Sequence, residues 1–213
     1  MPYAVKEMVY TLQGEGVHSG RPAVFCRFTG CNLWTGREVD RSRAVCQFCD
    51  TDFVEMDGQC GGHYRDQHEL ALRISELWPW SSNTRSMPFV VFTGGEPLLQ
   101  LDEPLLKAIK ALGFQTAVET NGTLPIPRGL DWVCVSPKAG AILTQEHGDE
   151  LKLVFPQFGL DPENFISLEF KHFFLQPMAG VNEVQNRELA VTYCLQHPNW
   201  RLSLQMHKIL GLS

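Results

Sequence analysis

Short apolar segments that run into glycine or polar residues recur along this chain, and they constrain its fold more than any other feature. Residues 89–93 form a continuous apolar run that ends in Gly94-Gly95-Glu96-Pro97, and residues 115–118 run into Glu119-Thr120-Asn121-Gly122. Apolar residues at helical spacing lie between these two runs, over 102–112. Such alternation predicts an α/β fold built on a parallel sheet or barrel.

The same pattern gives the order of elements along the chain. Strands are predicted at residues 9–12, 23–28, 89–93, 115–118, 132–135, 151–155, 173–175 and 200–205. Helices are predicted at residues 66–78, 102–112 and 182–197, with loops at 58–64 and 83–88. At least one long connection lacks a clear helix, so we expect fewer than eight βα units. In barrels the reactive groups gather at the C-terminal ends of the strands, which here supply Cys31, Glu96, Glu119, Ser136, Gln176 and His207.

The composition limits the class of protein. The 213 residues suffice for one sizeable core, and no linker divides them, so we expect a single domain over 1–213. The formal net charge of −6 gives no electrostatic footprint for nucleic acid or an anionic membrane. No apolar run approaches the length of a membrane span, and no signal peptide precedes the first strand. Seven cysteines, an odd number without paired spacing, do not indicate a secreted disulfide framework, so we expect a protein of the reducing cytoplasm.

Three cysteines form the most specific chemical signal. Cys46 and Cys49 have the two-residue spacing that lets both sulfurs reach one metal centre. Cys31 follows a predicted strand, and fourteen residues separate it from Cys46. Cys26 lies inside that strand and faces away from Cys31, because successive strand side chains alternate. Three thiolates leave one coordination position open, which favours an iron–sulfur cluster whose unique iron binds another ligand. A four-cysteine structural zinc site and plain buried cysteines are the alternatives.

Four further segments carry candidate site chemistry, each with a plainer alternative. Gln13-Gly14-Glu15-Gly16 places two glycines around a carboxylate, which suits close approach of the backbone to a ligand or an ordinary turn. Arg27 lies in an apolar strand and needs a carboxylate partner, from a ligand or from the protein itself. Residues 32–45 form a charged insertion, predicted to be exposed. Asp50-Thr51-Asp52 offers hard oxygen ligands that could hold magnesium, or forms a polar turn.

The cysteines, followed by a strand that ends in Gly94-Gly95-Glu96-Pro97, resemble the radical S-adenosylmethionine (SAM) enzymes. The resemblance implies a [4Fe–4S] cluster on three cysteines, with the open iron chelating the amino and carboxylate groups of SAM. It also implies that the glycine-rich strand end binds the methionine amine and that Phe48 lies near the adenine. One departure is plain, because fourteen residues separate the first two cysteines where three are usual.

Further motifs narrow the resemblance to the 7-carboxy-7-deazaguanine synthase family, also called QueE. The motifs span the whole chain in order and are Gln13-Gly14-Glu15-Gly16, Glu119-Thr120-Asn121-Gly122, Ser136-Pro137-Lys138, Gln176-Pro177-Met178 and Leu204-Gln205-Met206-His207-Lys208. Some proteobacterial members share the expanded cluster loop. The resemblance implies a truncated, modified (β/α)6 partial TIM barrel, a homodimer and a requirement for Mg²⁺. It further implies a lyase that converts 6-carboxy-5,6,7,8-tetrahydropterin to 7-carboxy-7-deazaguanine, with loss of ammonia, in the biosynthesis of queuosine and other 7-deazapurines.

The roles that the resemblance implies for individual residues follow the matching motifs. Substrate contacts are expected from Leu12, Gln13, Gly14, Glu15, Gly16, Arg27, Thr93, Gly94, His207 and Ser213. SAM contacts are expected from Phe48, Gly95, Glu96, Glu119, Asn121, Ser136, Lys138 and Gln176. Cluster ligands are expected to be Cys31, Cys46 and Cys49, with Thr51 on magnesium. No side chain is assigned a catalytic step, because SAM carries the radical chemistry.

Partners and the C-terminus complete the predictions. The clustered arginines of residues 32–45 could dock an acidic flavodoxin-type reductant, although a solvated loop explains them equally well. The apolar tail 209–212 is predicted to fold over the pocket, so that His207 and the terminal carboxylate of Ser213 meet the pterin. Two other functions stay open: another radical SAM enzyme acting on a different small heterocycle, and a zinc-stabilised binding module.

Overall fold

A nine-stranded sheet organises the molecule. The computed structural model describes residues 2–81 and 86–212. The strands are β1 (Tyr3–Leu12), β2 (Pro22–Phe28), β3 (Gly62–Tyr64), β4 (Phe89–Gly94), β5 (Gln115–Thr120), β6 (Trp132–Val135), β7 (His147–Phe155), β8 (Glu169–Pro177) and β9 (Trp200–Leu202). The α-helices are α1 (Gln67–Leu77), α2 (Glu103–Ala111), α3 (Glu183–Gln196) and α4 (Met206–Leu210). Short 3-10 helices cover Glu38–Arg43, Pro97–Leu99 and Pro162–Phe165.

The sheet is mixed, with the order β3-β1-β2-β4-β5-β6-β7-β8-β9. β1 pairs antiparallel with both β2 and β3, whereas β2 and β4 to β9 form a parallel run. Helices α1, α2 and α3 supply crossovers of the kind that parallel strands require. The predicted α/β class with a parallel sheet is therefore confirmed. The number of βα units in a partial barrel stays a prediction.

Helices α1 and α2 begin at capped positions and cover one face of the sheet. The Asp66 side chain accepts from the amides of His68 and Glu69 at 2.9 and 3.0 Å, and Asp102 accepts from Leu105 at 3.0 Å. Pro104 in the first turn of α2 fits the predicted N-terminus, because its missing N–H would be unpaired there in any case. The apolar faces of both helices bury Leu70, Ala71, Ile74, Leu105, Leu106 and Ile109 in the core.

The two faces of β2 have opposite environments, as the alternation of strand side chains requires. Val24, Cys26 and Phe28 are fully buried in the core that includes α1 and α2. Phe25 and Arg27 point to the other side and line a cavity. Burial raises the pKa of the Cys26 thiol far above its ordinary value. The predicted face of Cys26 is confirmed, and the zinc alternative loses its fourth ligand.

The structure departs from the predicted elements mainly at the edges of the sheet. Residues 62–64, predicted as part of a loop, pair with β1 as the short edge strand β3. The predicted last strand, 200–205, ends at Leu202, and the residues after it turn into α4. Residues 83–85, half of the predicted loop at 83–88, lie outside the described residues. Among residues 2–81 and 86–212, no helix has the length and apolar character required to cross a membrane.

Candidate active site

A cavity of about 460 Å³ lies against the sheet face opposite α1 and α2. Side chains from β1, β2, β4, β5, β7 and β8 line it, together with the cysteine loops and the segment that leads into α4. The predicted site residues that line it are Leu12, Gln13, Gly14, Glu15, Arg27, Cys31, Cys46, Phe48, Cys49, Thr51, Thr93, Gly94, Gly95, Glu119, Asn121, Ser136, Lys138, Gln176 and His207. Gly16 and Glu96 are absent from the lining, and Ser213 lies outside the described residues.

The three predicted cluster ligands reach this cavity from two loops. The interaction between the Cys46 and Cys49 side chains lowers the pKa of Cys49 and raises that of Cys46. Burial raises the pKa of Cys31. Thiolates are the ligands that iron–sulfur clusters take from proteins, so this donor set fits such a group. Among the described residues, no three or more His, Cys, Asp or Glu side chains are grouped around a single-ion position.

The end of β4 lies directly against the loop that carries Cys31. The Glu96 amide donates to the Gly30 carbonyl at 2.9 Å. A Cβ atom on Gly95 would collide with the same carbonyl and would lie 2.6 Å from the Cys31 Cβ. Glycine is required there because any side chain would push the cysteine loop away from the strand end.

Glu96 is held by donors of the protein itself, and its predicted contact with SAM stays a prediction. Its carboxylate is fully buried and accepts from the Thr120 hydroxyl at 2.7 Å, the Asn121 amide at 2.8 Å and the Leu98 amide at 2.9 Å. Both oxygens are therefore used to join the ends of β4 and β5. The neighbouring Asn121 lines the cavity, and its side-chain Nδ2 donates to Oδ1 of Asn32 at 2.9 Å.

Gly16 lies outside the cavity lining, and its predicted contact with the substrate stays a prediction. Its amide donates to the Ser203 hydroxyl at 3.0 Å, and a Cβ atom would collide with the Glu150 carboxylate. The next amide, from Val17, donates to Glu150 at 2.9 Å. Gly16 therefore fixes the course of the β1–β2 loop instead of lining the cavity.

Buried charges occupy the interior of the cavity, centred on Lys152 of β7. Lys152 forms an ion pair with Glu15, and its Nζ lies 3.5 Å from Glu119. Gln176 and Gln205 both donate to Glu15 at 3.1 Å. Burial opposes the charges, but the pairing outweighs it, so the pKa of Glu15 is lowered and that of Lys152 is raised. Both groups are therefore ionised at neutral pH.

Arg27 pairs with a carboxylate of the protein itself, which was one of the two alternatives predicted for it. Its Nε donates to Glu7 of β1 at 2.9 Å, while the side chain remains on the cavity wall. Lys138 lines another part of the wall and donates to the Ser136 carbonyl and hydroxyl at 2.6 and 2.7 Å. Burial lowers the pKa of Lys138. The cavity thus presents cations on two sides.

The segment entering α4 closes one side of the cavity. The Met206 amide donates to the Gly14 carbonyl at 3.0 Å, and a Cβ atom on Gly14 would collide with the His207 ring. Lys208 forms an ion pair with Asp50, the residue that follows Cys49. His207 is therefore at the cavity, as predicted, whereas the predicted contact of Ser213 lies outside the described residues.

The insertion at 32–45 combines an exposed helix with a buried base. None of the residues of the 3-10 helix Glu38–Arg43 is buried, in line with the prediction, whereas Leu33 and Trp34 are buried. Its arginines are engaged within the insertion, since Arg41 pairs with Glu38 and Arg43 pairs with Asp40 at 3.1 Å. This pairing weakens the interpretation that these two arginines form a free docking surface.

Sequence reasoning missed Lys152, Gln205 and Lys208. A signal for the first existed, because Glu150 and Lys152 are two residues apart in one strand and so share one face. Inward charges at that spacing indicate a polar interior. Gln205 and Lys208 belong to the motif at 204–208, but no local pattern identifies their partners Glu15 and Asp50, which are distant in sequence.

Comparisons with known proteins agree with this site. No protein-family model matches the chain. The chain is 60% identical over 212 residues to the 7-carboxy-7-deazaguanine synthase of Bordetella pertussis, with 100% of both chains covered. It is 38% identical over 208 residues to that of Bacteroides thetaiotaomicron, covering 98% of this chain and 97% of the relative. The crystal structure of QueE from Escherichia coli matches with a TM-score of 0.71 at 28% identity, covering 97% of this chain and 95% of the other. The resemblance predicted from the motifs is confirmed, and the chain belongs to the 7-carboxy-7-deazaguanine synthase family.

Proposed function

We propose that this chain is a radical SAM lyase that converts 6-carboxy-5,6,7,8-tetrahydropterin to 7-carboxy-7-deazaguanine with loss of ammonia. The product leads to queuosine and other 7-deazapurines. The observation that carries the proposal is one cavity that holds three thiols, a glycine-rich strand end and a buried set of charges. Family membership supports the same assignment.

Residues at the thiol end of the cavity suit the cofactors. Cys31, Cys46 and Cys49 would hold the [4Fe–4S] cluster, which with SAM supplies the radical needed to activate an unreactive C–H bond. The polar groups of Asn121, Ser136 and the end of β4 would bind SAM, with Phe48 beside the adenine. Glu119, Lys138 and Gln176 add further polar contacts on that wall. The protein's own task is to orient the two molecules and exclude water from them.

The charged interior suits the substrate. Arg27 would bind the substrate carboxylate. Glu7 accepts from its Nε, so the two terminal nitrogens of the guanidinium would remain available as donors. Gln13 and Glu15 would accept hydrogen bonds from the pterin nitrogens. Lys152 keeps Glu15 ionised and therefore able to accept. Leu12, Gly14, Thr93, Gly94 and His207 would complete the contact surface.

Magnesium and the partners belong to the same proposal. Thr51 lines the cavity two residues beyond Cys49, so its hydroxyl would be available to a Mg²⁺ ion bound with the substrate. We also propose that the chain folds as a truncated (β/α)6 barrel and forms a homodimer. The dimer would work in the cytoplasm with a flavodoxin-type reductant. Of the clustered arginines, Arg37 is the one to test first for docking, because Arg41 and Arg43 are paired within the insertion.

Anaerobic reconstitution followed by a turnover assay tests the function. The chain should take up about four iron and four sulfide, and it should release 7-carboxy-7-deazaguanine from the carboxytetrahydropterin when SAM, Mg²⁺ and reductant are supplied. Cleavage of SAM without that product would favour the alternative, a radical SAM enzyme for another heterocycle. Uptake of one zinc and no iron would contradict both.

A further inference from the structure

Arg41 makes the most extensive set of contacts in the cysteine insertion. Its Nε and Nη2 form a two-pronged pair with Glu38 at 2.8 and 2.5 Å. The remaining nitrogen, Nη1, donates to the carbonyls of Gln47 and Cys49 at 3.0 and 3.1 Å. All three guanidinium nitrogens are therefore occupied. A side chain with five fixed donors is suited to hold several acceptors at once.

The guanidinium is also held from one side by an aromatic ring. Its Cζ lies 4.0 Å from the centroid of the Trp34 ring. Trp34 is itself fixed, because it is buried, packs edge-on against Phe53 at 5.7 Å and donates from Nε1 to the Arg37 carbonyl at 3.2 Å. The Arg41 guanidinium is thus fixed by the Trp34 ring as well as by its hydrogen bonds.

The two carbonyls that accept from Arg41 belong to the segment that carries Cys46 and Cys49. Gln47 follows Cys46 directly, and the other carbonyl is that of Cys49 itself. Residues that orient metal ligands without touching the metal commonly change metal affinity when they are altered. A positive charge beside a redox group also stabilises the reduced, more negative state of that group.

We propose that Arg41 is a positioning residue for the cluster: it fixes the Cys46–Cys49 segment in the ligating conformation and raises the reduction potential of the bound cluster. The proposal rests on the proposed function only in requiring that the cysteines bind an iron–sulfur cluster. It gives the expanded insertion a specific task, since the insertion supplies Glu38, Arg41 and Trp34 together. It also explains why Arg41 is not free to dock a partner.

Three variants test the proposal: Arg41→Gln, Arg41→Lys and the control Arg43→Gln. Arg43 lies in the same short helix, and its Nη2 donates to Asp40 instead of to the cysteine segment. Arg43→Gln therefore removes a charge of the same sign without that contact. Each protein is reconstituted anaerobically, and three quantities are measured: iron per chain, the rate of iron transfer to a ferrous chelator, and the midpoint potential of the cluster. Urea unfolding of each metal-free chain shows whether the variant folds.

We expect Arg41→Gln to lose iron roughly tenfold or more faster than the wild-type chain. Its midpoint potential should lie below that of Arg43→Gln. Arg41→Lys keeps the charge but lacks the fork, so it should lose iron quickly while its potential stays closer to the wild-type value. If Arg41→Gln does not fold, Arg41→Lys carries the test of iron loss.

The opposite results are equally clear. Iron loss and potential in Arg41→Gln that match those of Arg43→Gln would overturn the positioning role while leaving the proposed function intact. A wild-type chain that takes up no iron would overturn both. Normal iron retention in Arg41→Lys together with fast loss in Arg41→Gln would show that charge alone matters, and would overturn the role of the fork.

Discussion

Replacing Lys152 by methionine should strongly destabilise the folded protein, because it leaves buried carboxylates without their cation. The Lys152 side chain is 5% exposed, and the side chains of Glu15 and Glu119 are 11% and 23% exposed. Methionine has a similar volume, so packing changes little. The loss is therefore electrostatic in origin and can be compared with a matched surface variant.

The structure sets the size of the effect. At 3.5 Å and an effective dielectric constant of about 20, one Lys152–Glu119 attraction is worth about 4–5 kcal/mol, and it offsets the cost of burying both groups. Removing one partner of a buried pair typically costs roughly 3–5 kcal/mol, because the other charge stays buried. Lys171→Met on β8 is the control. Lys171 pairs with Asp149 at 2.7 Å but is 70% exposed, so its loss should cost about 0–1 kcal/mol.

The cost should depend on pH in a defined direction. The pKa of Glu15 is lowered from 4.5 in the folded chain, so the contribution of the pair is present above pH 4.5 and is lost as the pH falls through the folded value. The pKa of Lys152 is raised above 10.5, so its contribution is lost only as the pH rises through a value above 10.5. The difference between the wild-type chain and Lys152→Met should thus be widest near neutral pH and narrow on acidification.

The assay is equilibrium urea unfolding under anaerobic conditions at several pH values. The double variant Lys152→Met with Glu15→Gln should regain part of the lost stability, because it removes one of the buried carboxylates that Lys152→Met leaves without a cation. A cost for Lys152→Met no larger than that of Lys171→Met would refute the reasoning. The reasoning would also fail if the double variant were less stable than Lys152→Met by as much as Glu15→Gln alone destabilises the wild-type chain.

Three further predictions address the metal centre and the cavity. Cys46→Ala should abolish iron and sulfide uptake, whereas Cys26→Ala should keep it and lose only packing stability; an iron-free but folded Cys26→Ala protein would reject the three-ligand site. Thr51→Val should lower activity in a way that excess Mg²⁺ partly restores, and an unchanged Mg²⁺ titration would exclude a role for this hydroxyl. Gly14→Ala should displace His207 and raise KM for the pterin at least severalfold while SAM cleavage without pterin is unchanged, and equal KM values would argue against the observed contact.

Local patterns predicted much of the fold and the thiol site. The alternation along β2 was enough to assign Cys26 to the core and Arg27 to the cavity, because side-chain direction in a strand depends only on position. Helix α2 was predicted to within one residue at each end, since Asp102 and Pro104 give a local signal for its start. These features depend on neighbours in sequence.

The rest depends on contacts between distant parts of the chain. Lys152 meets Glu15 across 137 positions, so no local pattern names the pair. The motif that contains Glu96 resembles SAM-binding strand ends and predicts a cofactor contact. The three donors to Glu96, two of them on the end of β5, become visible only once the strands are adjacent. Edge strand β3 has three residues and too little periodicity to be recognised.

The meeting of the first loop with the last residues also governs when the site can exist at all. Gly16 bonds to Ser203 across 187 positions, and Glu15 bonds to Gln205 across 190. Contacts of such separation slow folding, because the closing of a long loop comes before any gain from it. We therefore expect the carboxylate of Glu15 to stay solvated during synthesis until Gln205 has left the ribosome. We therefore expect the cavity to close late, which would leave the thiols of Cys31, Cys46 and Cys49 open to oxidation until then.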